Sequence, residues 1–199
     1  MANSVKKSAK AAVAAQNLTP RTALGGAKFK GFVSVTEAAA LGMISLRAKS
    51  DVAGLTLAIK AAVGVELPTS GQILTQAGKA VAWMSPDEYL LIMPYAEVTG
   101  CLAQLRANLA GQHSLAVDVS DARAVFDVTG PKADQALSKI CPVDFAALGS
   151  TQLRRTRTAQ VAAAIWREGT GLRLVCFRSV AGYVMGLLTH SAQSGAEIR

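Results

Sequence analysis

In VAWMSPDEYLLIMP, residues 81–94, Asp87 and Glu88 stand side by side between two apolar runs. Two carboxylates can divide general acid and base or nucleophilic work, but only when both converge on one bond. Neighbouring residues in extended chain point to opposite faces instead. Pro86 sets φ for the second position of a turn, and Ser85 and Asp87 are favoured turn residues on either side. With hydrophobic runs on both flanks, the four residues have a hairpin signature. The pair reads as the polar tip of that turn.

Other groups capable of chemistry are scattered. Cys101, Cys141 and Cys176 are odd in number and lack CxxC spacing, so they read as small packing residues in a reducing compartment. His113 and His190 each stand alone near an expected helix end, without the spacing of metal ligands or of a triad. GQILTQAGKA (71–80) has a spacing too long for a phosphate-binding loop, with Ala80 where a Mg²⁺-binding Ser or Thr belongs. It reads as a loop leading into a strand. No GxGxxG is present to support a dinucleotide fold.

Two clusters keep two readings each. Arg154, Arg155 and Arg157 in TQLRRTRTAQ sit just before an expected strand, with Arg167, Arg173 and Arg178 on or beside the next hairpin. They form either a solvated strand face or a surface for an acidic partner or anionic ligand, since guanidinium forks carboxylate and phosphate. Asp118, Ser120, Asp121 and Arg123 fall where two halves of the chain join. They line a functional crevice there, or act as ordinary structural fasteners.

The net charge is +8, yet six of the 21 basic residues (Lys6, Lys7, Lys10, Arg21, Lys28 and Lys30) precede the first acidic residue, Glu37. The rest balances 15 basic against 13 acidic residues. The basicity belongs to a tail without aromatic interleaving, which gives nucleic-acid binding little support. The run AAVAA is shorter than the ~7 apolar residues of a signal peptide. No stretch approaches the ~18 residues of a membrane helix. A cytoplasmic protein that partners neither nucleic acid nor membrane is expected.

The elements that hold these residues follow from periodicity. Residues 1–40 form a basic N-terminal extension that lies on the body or on a partner. From there MISLRAK alternates as a strand, and SDVAGLTLAIKAAVG offers Ser50 or Asp51 as N-cap and Gly64 as stop. KAVAWM and YLLIMP are paired strands. AEVTGCLAQLRANLAG carries a helical stripe of Val98, Leu102, Leu105 and Leu109, and SLAVDVS is again a strand. This is β-α-β-β-α-β, the ferredoxin-like order.

ARAVFDVTG then restarts the series. PKADQALSKI is a helix opened by Pro131, AQVAAAIWRE and GLRLVCFRS are a hairpin, and VAGYVMGLLTHS is a helix with Val180, Val184 and Leu187 inward. Trp83 and Trp166 each end the first strand of a hairpin, which suggests an internal repeat. The expected fold is α+β, with a first βαββαβ half over 41–120 and a second βαββα half over 121–199.

WMSPDEYLL, then VDVSDARAVFDVTGPKADQALSKICPVDF, then VCFRSVAGYVMGLL resemble, in that order, the gamma-subunit family of heterotetrameric bacterial sarcosine oxidases. The resemblance spans residues 43–190. It implies the fold of the folate-binding domain of aminomethyltransferases. It also implies a structural subunit of an oxidoreductase complex that converts sarcosine to glycine, forming hydrogen peroxide and passing the methyl carbon to tetrahydrofolate. FAD, FMN, NAD and zinc are implied for the alpha, beta and delta subunits, with alpha the main partner and no cofactor on this chain.

The positions matching the family motifs are Trp83, Pro86, Asp87, Glu88, Asp118, Ser120, Arg123, Cys141, Asp144, Arg178 and Ser179. Tyr89 stands where a Trp is common and Ser85 where a Gly is common. No catalytic, cofactor-binding or metal-ligating role is carried over. Arg154, Arg155, Arg157, Arg178 and Ser179 are the candidate partner contacts. A stand-alone folate-binding or aminomethyltransferase-like protein is the alternative.

Overall fold

A computed structural model describes residues 19–198, so Lys6, Lys7 and Lys10 of the basic tail lie outside the described residues. In chain order, β1 (Lys28–Lys30) and β2 (Ser34–Glu37) precede β3 (Leu41–Arg47), α1 (Leu55–Val63), β4 (Ile73–Gln76), β5 (Lys79–Ser85), β6 (Glu88–Pro94), α2 (Val98–Asn108) and β7 (Leu115–Asp118). Then come β8 (Arg123–Thr129), α3 (Ala133–Ser138), β9 (Leu153–Thr158), β10 (Val161–Glu168), β11 (Gly171–Phe177) and α4 (Ala181–Ser191).

The strands form two antiparallel sheets, ordered β4-β5-β6-β3-β7 and β1-β2-β8-β11-β10-β9. The ferredoxin-like order is present in each, and the repeat is deeper than the sequence suggests. An additional edge strand, β4 or β9, precedes each hairpin. ILTQ is therefore a strand inside the segment expected to be a loop. Arg154, Arg155 and Arg157 lie on a strand rather than before one. Isolated alternation over so few residues is too short to separate a strand from a polar loop.

In the first sheet β7 flanks β3; in the second, the matching place beside β8 is filled by β2, with Ser34 opposite Thr129 and Glu37 opposite Phe126. β1 and β2, which fall in the segment read from sequence as extension, are strands of the second sheet. Without them β8 would present a row of unpaired amides and carbonyls. Gly31 permits the close approach, since a Cβ there would meet the carbonyl oxygen of Ala192 at 1.8 Å.

The layers run helix, sheet, sheet, helix. Leu55, Ala58, Ile59, Ala62 and Val63 follow helical spacing on α1 and pack with Val98, Cys101 and Leu105 of α2 over the first sheet. Phe126, Leu137, Ile165, Leu174, Val184 and Leu188 form the matching layer of the second. Between the sheets, Met43, Met84, Leu90 and Ile92 meet Val125, Leu153, Ala164, Trp166 and Val175.

Some local expectations change. α1 is preceded by Gly54 at φ 76°, not capped by Ser50 or Asp51, while Gly64 stops it at φ 74° as expected. Pro131 lies in the turn ahead of α3. On α4 Leu188, not Leu187, is buried, because the helix starts after a short 3₁₀ turn, Arg178–Val180.

Trp83 and Trp166 diverge as well. A bulge between Trp83 and Ser85 pairs Trp83 with Tyr89 on the helix-covered face. Trp166, on an unbulged strand, pairs with Arg173 and faces the other sheet. One extra residue reverses which face a side chain occupies.

Candidate functional site

The crossing from β7 to β8 is built on Asp118 and Ser120. Asp118 Oδ1 accepts hydrogen bonds from the Ser120 amide at 2.9 Å and hydroxyl at 2.6 Å. The buried Ser120 Oγ accepts the amide of Met43 at 2.9 Å. Next to it the Tyr95 hydroxyl donates to Asp121 at 2.9 Å, and that bond holds the phenol above its ordinary pKa. Arg178, at the matching place in the second half, donates to the carbonyls of Arg21 at 2.9 Å and Thr22 at 3.1 Å.

Glu37 closes this crevice. It is 3% exposed and accepts the Thr22 hydroxyl at 2.8 Å and the amides of Leu24 at 2.9 Å and Gly26 at 2.8 Å. Burial opposes its ionisation, but the bonds from Thr22, Gly26 and Leu24 outweigh burial and keep the carboxyl below its ordinary value. What remains open between Glu37, Tyr95, Asp121 and Arg178 is about 20 Å³. That holds about one water. The junction is a set of fasteners.

Asp87 and Glu88 form the expected turn tip. Arg47 bridges them, at 3.3 Å to Asp87 and 3.4 Å to Glu88. Asp87 also accepts the Ser85 hydroxyl at 2.9 Å, and that bond, with Arg47, lowers its pKa. Two carboxylates shared by one guanidinium do not converge on a substrate bond. Asp144 is likewise occupied, accepting the amides of Ala146 at 3.0 Å and Ala147 at 3.2 Å.

The three cysteines are buried. Burial raises all three thiols, that of Cys176 to about 11, so they stay protonated and unreactive at neutral pH. His113, in the loop before β7, and His190, on α4, are both exposed and stand apart. Among the described residues, no three of His, Cys, Asp and Glu gather where they could hold a metal ion.

The five candidate partner residues do not form one group. Arg154 donates to Gln152 at 3.0 Å, and Arg178 is tied to the segment before β1. Ser179 is exposed on the 3₁₀ turn. Arg155 and Arg157 are exposed, two residues apart on β9, and share a face. Arg123 joins that side, half-buried and stacked on Phe177 with its guanidinium 4.2 Å from the ring centre.

Two arginine forks and the Glu37 anchor were missed by sequence reasoning. Arg173 grips Asp127 at 2.6 and 2.9 Å across β8 and β11. Arg167 forks Asp134 at 3.1 and 3.0 Å and also donates to the carbonyls of Leu148 and Phe145. A charge inside VFDVT and another inside LRLVC, each interrupting a strand, was the available signal.

The sarcosine oxidase, gamma subunit family matches residues 47–193. The sarcosine oxidase subunit gamma of Arthrobacter sp is 36% identical over 143 residues, 70% of this chain and 69% of that protein. Its counterpart from Corynebacterium sp. (strain P-1) is 33% identical over the same length. A chain of the heterotetrameric sarcosine oxidase from Corynebacterium sp. U-96, solved with pyrrole 2-carboxylate, superposes with a TM-score of 0.74 at 30% identity. That superposition covers 83% of this chain and 87% of that one. The glycine cleavage system aminomethyltransferase T from Bartonella henselae shares the fold, with a TM-score of 0.61 at 15% identity over 79% of this chain and 45% of that one. The extent of the family match and the identity to its members establish that this chain belongs to the sarcosine oxidase gamma subunit family.

Proposed function

We propose that the chain is the gamma subunit of a heterotetrameric sarcosine oxidase and serves it as a non-catalytic, structural component. One observation carries this reading: 83% of the chain superposes, at 30% identity, on a chain of such a complex. The local chemistry supports it, because the acidic groups at the turn and junction are consumed by fasteners. Asp87 and Glu88 hold Arg47, Asp118 holds Ser120, and Glu37 holds three donors.

On this reading sarcosine is oxidised to glycine on other subunits, where hydrogen peroxide and methylenetetrahydrofolate or formaldehyde form. FAD, FMN, NAD and zinc belong to the alpha, beta and delta chains, alpha is the main contact, and the setting is cytoplasmic. No helix among the described residues is long and apolar enough to cross a membrane. The folate-binding alternative has the shared fold in its favour. The residues at the junction do not fit a pterin, because the crevice there is about 20 Å³, against the ~300 Å³ or more of ordinary ligand pockets.

Co-expression of the four subunits with and without this chain tests the proposal. Omission is expected to abolish assembly of the complex. Full assembly and full sarcosine oxidation without the chain would overturn it.

A further inference from the structure

The inner faces of the two sheets do not cover each other completely. On the second sheet, Val125, Val175, Ala164 and Arg155 lie side by side across four strands, and the first three belong to the core between the sheets. Two positions further along each strand, the same face carries Arg123, Phe177, Ala162 and Arg157. This outer row lies beyond the packed core. Phe177 is 50% exposed, and Ala162, Arg155 and Arg157 are exposed as well. Met84, reaching from the other sheet, closes a shallow hollow over Ala162 and Ala164. The edge strand of that other sheet leaves Leu115 and Val117 uncovered on the inner face too.

The charges of this row have no internal answer. Arg47, Arg167 and Arg173 each contact a carboxylate, whereas among the described residues no carboxylate lies within 4.0 Å of Arg123, Arg155 or Arg157. Arg123 is half-buried, and its pKa is lowered first by burial and then by the like charge of Arg155, against the pull of Glu88. Glu88 is already engaged by Arg47. Three guanidiniums around a floor of alanines and one aromatic ring are complementary to carboxylates on a partly apolar chain. A phosphate backbone would satisfy the charges and leave Ala162 and the Phe177 ring uncovered.

We propose that this row is a docking surface for an acidic segment of another protein subunit, whose carboxylates pair with Arg155, Arg157 and Arg123 while its apolar atoms lie across Ala162 and the exposed Phe177 ring. The assignment rests on the subunit reading above. A simpler role for the arginines is to keep the edge strand β9 from pairing with other chains, which any charge achieves. Reversing the sign therefore separates the two roles.

The test uses the co-expressed complex. R155E/R157E is compared with K28E/K30E, which makes the same charge change on β1 at the opposite edge of the same sheet. The docking role predicts that R155E/R157E weakens association with the other subunits by at least about tenfold and that K28E/K30E changes it little. Equal melting temperatures of the isolated variants establish that both fold. R157K keeps the charge and adds an amine, so carbodiimide treatment of the complex is expected to join the substituted side chain to an Asp or Glu of another subunit. R155E/R157E assembling like wild type overturns the surface and leaves the subunit reading standing. So does a carbodiimide link confined to this chain's own acids, or RNA binding that R155E/R157E abolishes while assembly persists. A wild-type chain that never joins the complex overturns both.

Discussion

The Glu37 carboxylate accepts the Thr22 hydroxyl at 2.8 Å, and through that bond and two backbone amides it ties the segment before β1 to the end of β2. The folded-state pKa of Glu37 lies below its ordinary value of 4.5. Its contribution to stability is therefore complete above that value and is lost as pH falls through the folded pKa. Glu37→Gln is expected to cost about 1–3 kcal/mol at neutral pH. It should also flatten the acid limb of a plot of stability against pH, measured by denaturant unfolding. An acid limb as steep as the wild type's would rule the anchor out.

Arg167 joins α3 to the loop before β9 by forking Asp134 and donating to Leu148 and Phe145. Arg167→Lys keeps the charge but loses the planar fork. Both Arg167→Lys and Arg167→Ala should unfold at lower denaturant, with alanine the worse because the Leu148 carbonyl loses its donor and the Phe145 carbonyl keeps only the Leu148 amide at 3.3 Å. Recovery of wild-type stability by the lysine variant would show that charge alone suffices.

Trp166 is 2% exposed between the two sheets, whereas Trp83 is only partly buried on the helix-covered face. Trp166→Ala is expected to cost about 3–5 kcal/mol by opening a cavity between the sheets. Trp83→Ala should cost clearly less, and equal losses in thermal unfolding would contradict the opposite facing of the two side chains.

Much of the fold could be read in the sequence where periodicity was long. The hairpins around SPDE and EGTG, the helix ending at Gly64 and the restart at Arg123 all rest on runs of seven or more patterned residues. β1, β2 and β4, at three or four residues each, offered too little alternation to read. The pairing of β2 with β8 joins segments about ninety residues apart, which no local pattern encodes. The bulge at Met84 is invisible to a count of residues, so the two tryptophans looked equivalent. At the candidate site, residue type identified Asp87, Glu88 and the β9 arginines. The groups that set their surroundings, Arg47 beside the two carboxylates and Arg123 stacked on Phe177 beside the β9 arginines, come from other strands.

Ala77 and Gly78 form the two-residue turn between β4 and β5, with φ of 49° and 77°. Positive φ at both positions is the geometry for which Asn-Gly is preferred, and a left-handed alanine costs about 1–2 kcal/mol. Ala77→Asn is therefore expected to raise the midpoint of thermal unfolding. A lower midpoint would mean that the turn has a different conformation in solution.

The central claim, that this chain lends structure to a complex whose chemistry lies on other chains, is tested most directly by purifying the untagged protein from its own cell and assaying it beside the chain expressed alone. The expected result is a yellow preparation of four different chains that oxidises sarcosine, and a colourless, inactive isolated chain. An isolated chain that carries its own flavin and turns over sarcosine unaided would contradict it.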